Sequence, residues 1–142
     1  MSHYNDIWAS IVKFCQTFAT ANAPLTVVNL DAHADLTSLP TSDIIGPKNY
    51  MLDYNEGTQV ASVMLVVSTL DDENLFRLDG LMGKLYQQLT PGKTIPFINA
   101  DTGATMGVLK IMDGTSVSPV ARTNSRPVKF VGIDLVVALP GL

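Results

Sequence analysis

Apolar side chains return every three or four positions between residues 5 and 21, at Ile7, Ile11, Phe14, Cys15 and Phe18, with Trp8 and Val12 broadening the stripe. That spacing predicts an amphipathic helix, capped by Ser2 or Asn5 and stopped by Asn22-Ala23-Pro24, because Pro24 cannot continue the hydrogen-bond ladder. The period then changes. Residues 25–30 read as a strand, and Tyr50, Leu52 and Tyr54 alternate with Met51, Asp53 and Asn55 as a half-buried strand would. A turn at Asn55-Glu56-Gly57-Thr58 leads into residues 59–70, where Ala61, Val63, Leu65 and Val67 share one face. Together the two segments predict a hairpin.

Helical spacing resumes at residues 71–89. Asp71-Asp72-Glu73 brings negative charge and a capping side chain to a helix start, and Leu75, Leu78, Met82, Leu85 and Leu89 form the buried stripe. Gly80 and Gly83 each weaken a helix by roughly 1 kcal/mol relative to Ala, so a neighbouring backbone is expected to pack closely there. Pro91-Gly92 ends the helix. Residues 94–99 and 105–112 follow as strands around the turn residues Asp101-Thr102-Gly103. Residues 128–139 make a last strand, with Val131, Ile133, Leu135, Val137 and Leu139 on one face. Two stretches lack either period. Residues 32–48 read as an irregular loop hiding at most one short extended piece, and residues 113–127 as a long polar loop carrying Arg122 and Arg126.

This order predicts an α+β fold in a single domain, residues 1–142. The connections have hairpin length, so the expected sheet is mainly antiparallel, of about five to six strands, with the two helices packed on one face.

Composition narrows the function. Apolar residues make up 46% of the chain and charged residues 15%, which suits a folded protein with surface covered by other subunits. A formal charge of −4 leaves no basic footprint for gripping nucleic acid. Cys15 is the only cysteine, which excludes an internal disulfide and a cysteine zinc knuckle and suits a reducing cytosol; its expected role is core filler. Neither a signal-peptide pattern nor an apolar run long enough to span a membrane is present, so a soluble protein without membrane partners is expected.

One segment invites a chemical reading. Asp31-Ala32-His33-Ala34-Asp35 resembles the Asp-Ala-His-x-Asp signature of the arginase and agmatinase family, in which such residues hold a pair of manganese ions. Side chains at i, i+2 and i+4 of an extended segment point the same way, so Asp31, His33 and Asp35 could converge on a divalent ion and activate a water. The family's Gly-Gly-Asp-His segment and later Asp-x-Asp pair are missing, however: Gly132-Ile133-Asp134-Leu135 is followed by Val136, and the other histidine is His3. A polar turn is the favoured reading, with no metal and no cofactor expected. Asp101-Thr102-Gly103 matches the Asp-Thr-Gly of aspartic proteases, but its flanks suit a hairpin turn and no second family segment accompanies it. No Gly-x-Ser-x-Gly elbow or phosphate loop is present. Arg122 and Arg126 read as solvated charges or as contacts to a neighbouring subunit.

As a whole, the element order resembles that of the tail terminator, or tail completion, proteins of long-tailed bacteriophages. The likeness lies in the N-terminal helix, the short strand and loop, the hairpin over residues 50–70, the acidic start of the second helix and the long last strand. It implies a non-enzymatic virion protein, assembled in the host cytoplasm. Its copies would form a ring, commonly of six, that caps the tail tube and meets neck or sheath proteins. DNA would pass through the channel without specific binding, as the acidic balance allows. Asp31, His33, Asp35, Arg122 and Arg126 are the candidate subunit or partner contacts. Another neck, tail-tube or baseplate component fits the same pattern, and a metal-dependent hydrolase is the remote alternative.

Overall fold

A computed structural model of the chain describes residues 3–32, 40–55, 58–123 and 126–138. The first helix, α1 (Tyr4–Ala21), buries Ile7, Ile11, Cys15 and Phe18, as its stripe requires. His3, rather than Ser2 or Asn5, occupies the position before it and makes no side-chain cap. The second helix, α2 (Phe76–Gln88), starts five residues later than its acidic lead-in suggests. Asp71 and Leu75 have left-handed backbones, with φ of 51° and 61°, which a continuous helix cannot contain. Asp72 performs the capping from inside this turn: its carboxylate accepts the amides of Arg77 (3.3 Å) and Leu78 (2.9 Å).

The strands are β1 (Thr26–Val27), β2 (Ile44–Asn55), β3 (Thr58–Ser68), β4 (Thr94–Ile98), β5 (Thr105–Ile111), β6 (Ser116–Val117), β7 (Ala121–Thr123) and β8 (Arg126–Ala138). They form one sheet in the order β1-β2-β3-β8-β5-β4, with β6 and β7 also paired to β8. All pairs are antiparallel except β1 with β2. The fold is therefore α+β with a mostly antiparallel sheet, larger than the five to six strands expected.

The two additional strands, β6 and β7, come from the stretch 113–127, and the stretch 32–48 supplies the start of β2. β2 begins at Ile44, inside the expected loop, and of residues 25–30 only Thr26 and Val27 pair before a single 3-10 turn at Leu30–Ala32. The polar stretch 113–127 follows β8 closely. After Ile111 opposite Leu135, Met112 donates to the Asp134 carbonyl, Val117 lies opposite Val131, and Ala121 opposite Val128. Thus β5, β6 and β7 are one interrupted strand. Its register slips by two residues between β5 and β6 and by one more before β7.

One apolar cluster holds the helices and strands together. Ala61, Val63, Leu65 and Val67 of β3 and Val131, Ile133 and Leu135 of β8 meet Ile7, Ile11, Cys15 and Phe18 of α1 and Leu78, Met82 and Leu85 of α2. Burial pushes the Cys15 thiol up to about 12, so it is an inert core residue. A smaller cluster of Val28, Leu30, Ile44 and Val66 uses the other parity of β3. Beside it, Gly46 runs under the exit from β1: a Cβ there would lie 1.7 Å from the Val28 carbonyl oxygen. Among the described residues the close approach expected at Gly80 and Gly83 is not found, since a Cβ at either would have nothing within 4 Å.

Candidate functional site

Asp31 and Arg126 bracket the segment that leads into β2. Asp31 stands in the 3-10 turn, exposed, and its carboxylate accepts the Asn49 amide at 3.0 Å. Asn49 has φ of 56° at the irregularity in β2 between Lys48 and Met51, where pairing to β3 is interrupted. The carboxylate thus caps a β-bulge. His33 and Asp35 lie outside the described residues, so of the Asp31, His33, Asp35 set only Asp31 is described. Among the described residues, no three of His, Cys, Asp and Glu are grouped as metal ligands would be.

Arg126 opens β8 and is 5% exposed. Its Nε donates to Ser68 Oγ at 3.0 Å, Nη1 to the Pro40 carbonyl at 2.8 Å and Nη2 to the Ser42 carbonyl at 2.6 Å. Ser68 Oγ in turn donates to the Pro127 carbonyl at 2.9 Å. Burial pulls the guanidinium below its ordinary value, and the charge of Asp43 pushes it back. Arg126 is therefore a clamp joining β8, β3 and the approach to β2, not a solvated charge. Arg122, on β7, is exposed, so the two arginines have no common duty.

Asp43 continues this polar seam. Its carboxylate accepts Arg77 Nε (3.0 Å) and Nη2 (3.1 Å) and the Leu70 amide (2.9 Å). Those hydrogen bonds push the Arg77 guanidinium up, while Arg77 also donates to the Leu70 carbonyl. Desolvation would raise the Asp72 carboxyl, but hydrogen bonds from Leu78, Arg77 and Thr69 and the charge of Arg77 outweigh it and hold it below its ordinary value. Lys129 pairs with Asp79 at 2.8 Å. Asp71 and Glu73 remain exposed beside Phe76, which is 79% exposed.

The opposite end of α2 borders a cleft of about 690 Å³ between α1 and the free edge of β4. Phe14, Ile95, Pro96 and Ile98 supply its apolar surface, and Lys13 and Lys93 its charge. The β4 edge is blunted: the Ile98 amide donates to Ser10 Oγ at 2.9 Å, the Ala100 amide to Asp6 Oδ1 at 2.8 Å, and Pro96 has no amide proton. Asp101 sits in the adjoining hairpin turn, where Asn99 Oδ1 accepts the amides of Asp101 and Thr102. It is a turn residue. A smaller cleft of about 350 Å³ on the other side of the sheet carries Ser62 hydrogen-bonded to Asp134 at 2.7 Å.

Of the residues here, Asp43, Arg77, Lys13, Lys93 and Phe76 escape sequence reasoning. Only Phe76 carries a signal, since it falls outside the stripe of Leu78, Met82 and Leu85. No family model matches the chain, and no curated protein matches it. Among the described residues, no helix is long and apolar enough to cross a membrane.

Proposed function

We propose that this protein is a virion structural subunit similar to the tail terminators of long-tailed bacteriophages. Its copies form a ring, of about six subunits, that caps the tail tube and joins it to the head or neck. DNA passes through without specific contacts. The observation that carries this reading is the element order: α1, a short β1, the β2–β3 hairpin, an acidic turn into α2, and a long last strand that organises the sheet. In this reading the two helices cover one face of the sheet, which their shared apolar cluster supports. The opposite face and the broken β6–β7 ribbon, with Val117 and Val120 about two-fifths exposed, are left for neighbours.

A non-enzymatic role accords with the commitment of Asp31 to a backbone amide. Sedimentation velocity over a concentration series, with negative-stain imaging, tests the proposal: association into rings, or capping of purified tail tubes, is expected. A chain that stays monomeric at every concentration and leaves tubes uncapped would sink it. Binding to baseplate instead of tube ends would favour the baseplate alternative.

A further inference from the structure

The two ends of α2 are complementary to each other but cannot meet within one chain. At its entrance, Phe76 is 79% exposed and follows Asp71, Asp72 and Glu73 within five residues of chain. The nearby cations are already engaged, Arg77 by Asp43 and Lys129 by Asp79, so this end keeps a negative excess. At its far end, about 20 Å away for 13 residues of helix, Gln87 and Gln88 reach the 690 Å³ cleft. That cleft pairs an apolar floor with Lys13 and Lys93; among the described residues neither forms an ion pair and no carboxylate lines the cleft. In a chain of net charge −4, such a local positive excess is the exception.

We propose that the cleft seats the α2 entrance of a second copy of this chain, with Phe76 anchored on Phe14, Pro96 and Ile98 and with Asp71 and Glu73 facing Lys13 and Lys93. This rests on the reading that copies assemble, and it names the surfaces. An exposed aromatic is the usual energetic centre of an interface, and complementary rim charges set its orientation. Because donor and acceptor surfaces differ, the contact is head-to-tail, the kind that closes into a ring when the rotation permits. Gly80 and Gly83, one and two turns beyond Phe76 with open space over them, let the neighbour approach the helix backbone closely.

The test uses the full chain in sedimentation velocity, wild type beside Phe76→Ala, Lys93→Glu, Glu73→Lys and the Glu73→Lys/Lys93→Glu pair. Asn74→Cys/Thr17→Cys is oxidised in parallel; both positions are exposed, and the native Cys15 is buried. Phe76→Ala and each charge reversal should weaken association roughly tenfold or more at unchanged melting temperature, and the paired reversal should recover most of it. The double-cysteine variant should give a ladder of cross-linked oligomers, whereas either single cysteine stops at dimers. A wild type that assembles but ignores these substitutions and gives no ladder would overturn this docking while leaving the ring standing. A wild type that does not associate, beside a double-cysteine variant that gives no ladder, would overturn both. Capture of an acidic segment from a tail protein in place of a second copy would overturn the docking as well.

Discussion

Arg126 gives up its hydration to three oxygens of its own chain, whereas Lys13 and Lys93 stand at a cleft that no carboxylate lines among the described residues. The first region, around Gly46, Asp43, Ser68 and Arg126, is closed: amides, carbonyls and charges find partners across β2, β3, β8 and the α2 entrance. The second, along the exposed side of α2 and into the α1–β4 cleft, leaves an aromatic ring, two glycines and two cations without a partner among the described residues. A buried polar group must be satisfied for the chain to fold, so the closed region reports on stability. Exposed groups carry no such obligation. What they do is visible only when something binds.

Substitutions separate the two regions by what they change. Gly46→Ala should be the most damaging, costing about 4 kcal/mol, because its methyl would strike backbone that no rotamer can move away. Chemical denaturation checks this. Arg126→Ala should follow at about 3 kcal/mol, since it takes a donor from the buried Ser68 Oγ and from two half-buried carbonyls and empties the space the guanidinium fills; Arg122→Ala should stay within about 0.5 kcal/mol. Equal effects of the two arginines would break the comparison. Gly80→Ala should act in the opposite direction, stabilising the fold by about 1 kcal/mol while loosening assembly. Stabilisation without any loss of assembly would mean that the open side of α2 is idle.

The smallest effect concerns acid. The folded Asp72 carboxyl sits below its ordinary 3.8, so its stabilising share is complete above that value and fades as pH falls through the folded pKa. Asp72→Asn should therefore be less stable than wild type near neutrality, with the gap narrowing in acid. A gap independent of pH in urea titrations would show that the cap works through shape alone.

The helices and β3 were legible because packing enforces a period. Ile7, Ile11, Cys15 and Phe18, like Leu78, Met82 and Leu85, are where 3.6-residue spacing places a buried stripe, and Ala61 to Val67 alternate as a one-sided strand must. β6 and β7 were not, because they are held by backbone pairing to β8 while Ser116, Val117, Ala121 and Arg122 face solvent. The start of β2 was hidden by Gly46 and Pro47, ordinarily breakers. Gly46 is demanded by Val28, and Pro47 lies beyond the last β1 pair, Val27 with Ile45, on an edge that asks for no donor. At the candidate site, nothing local distinguishes Arg126 from Arg122; only strand register buries one and exposes the other. The task of Asp31 was illegible for the same reason, because it is set by a bulge residue 18 positions away.

The place of β8 also governs the order in which this protein can acquire its structure. The β2–β3 and β4–β5 hairpins close locally, but only β8 joins them, and its nearest pairing with β3 links Ser68 to Val128, 60 positions apart. Until β8 has been synthesised, the apolar edge of β3 is open to any strand that meets it. Folding should therefore be slow and late, with a high cost of ring closure in the chain, and fragments cut before residue 126 should aggregate.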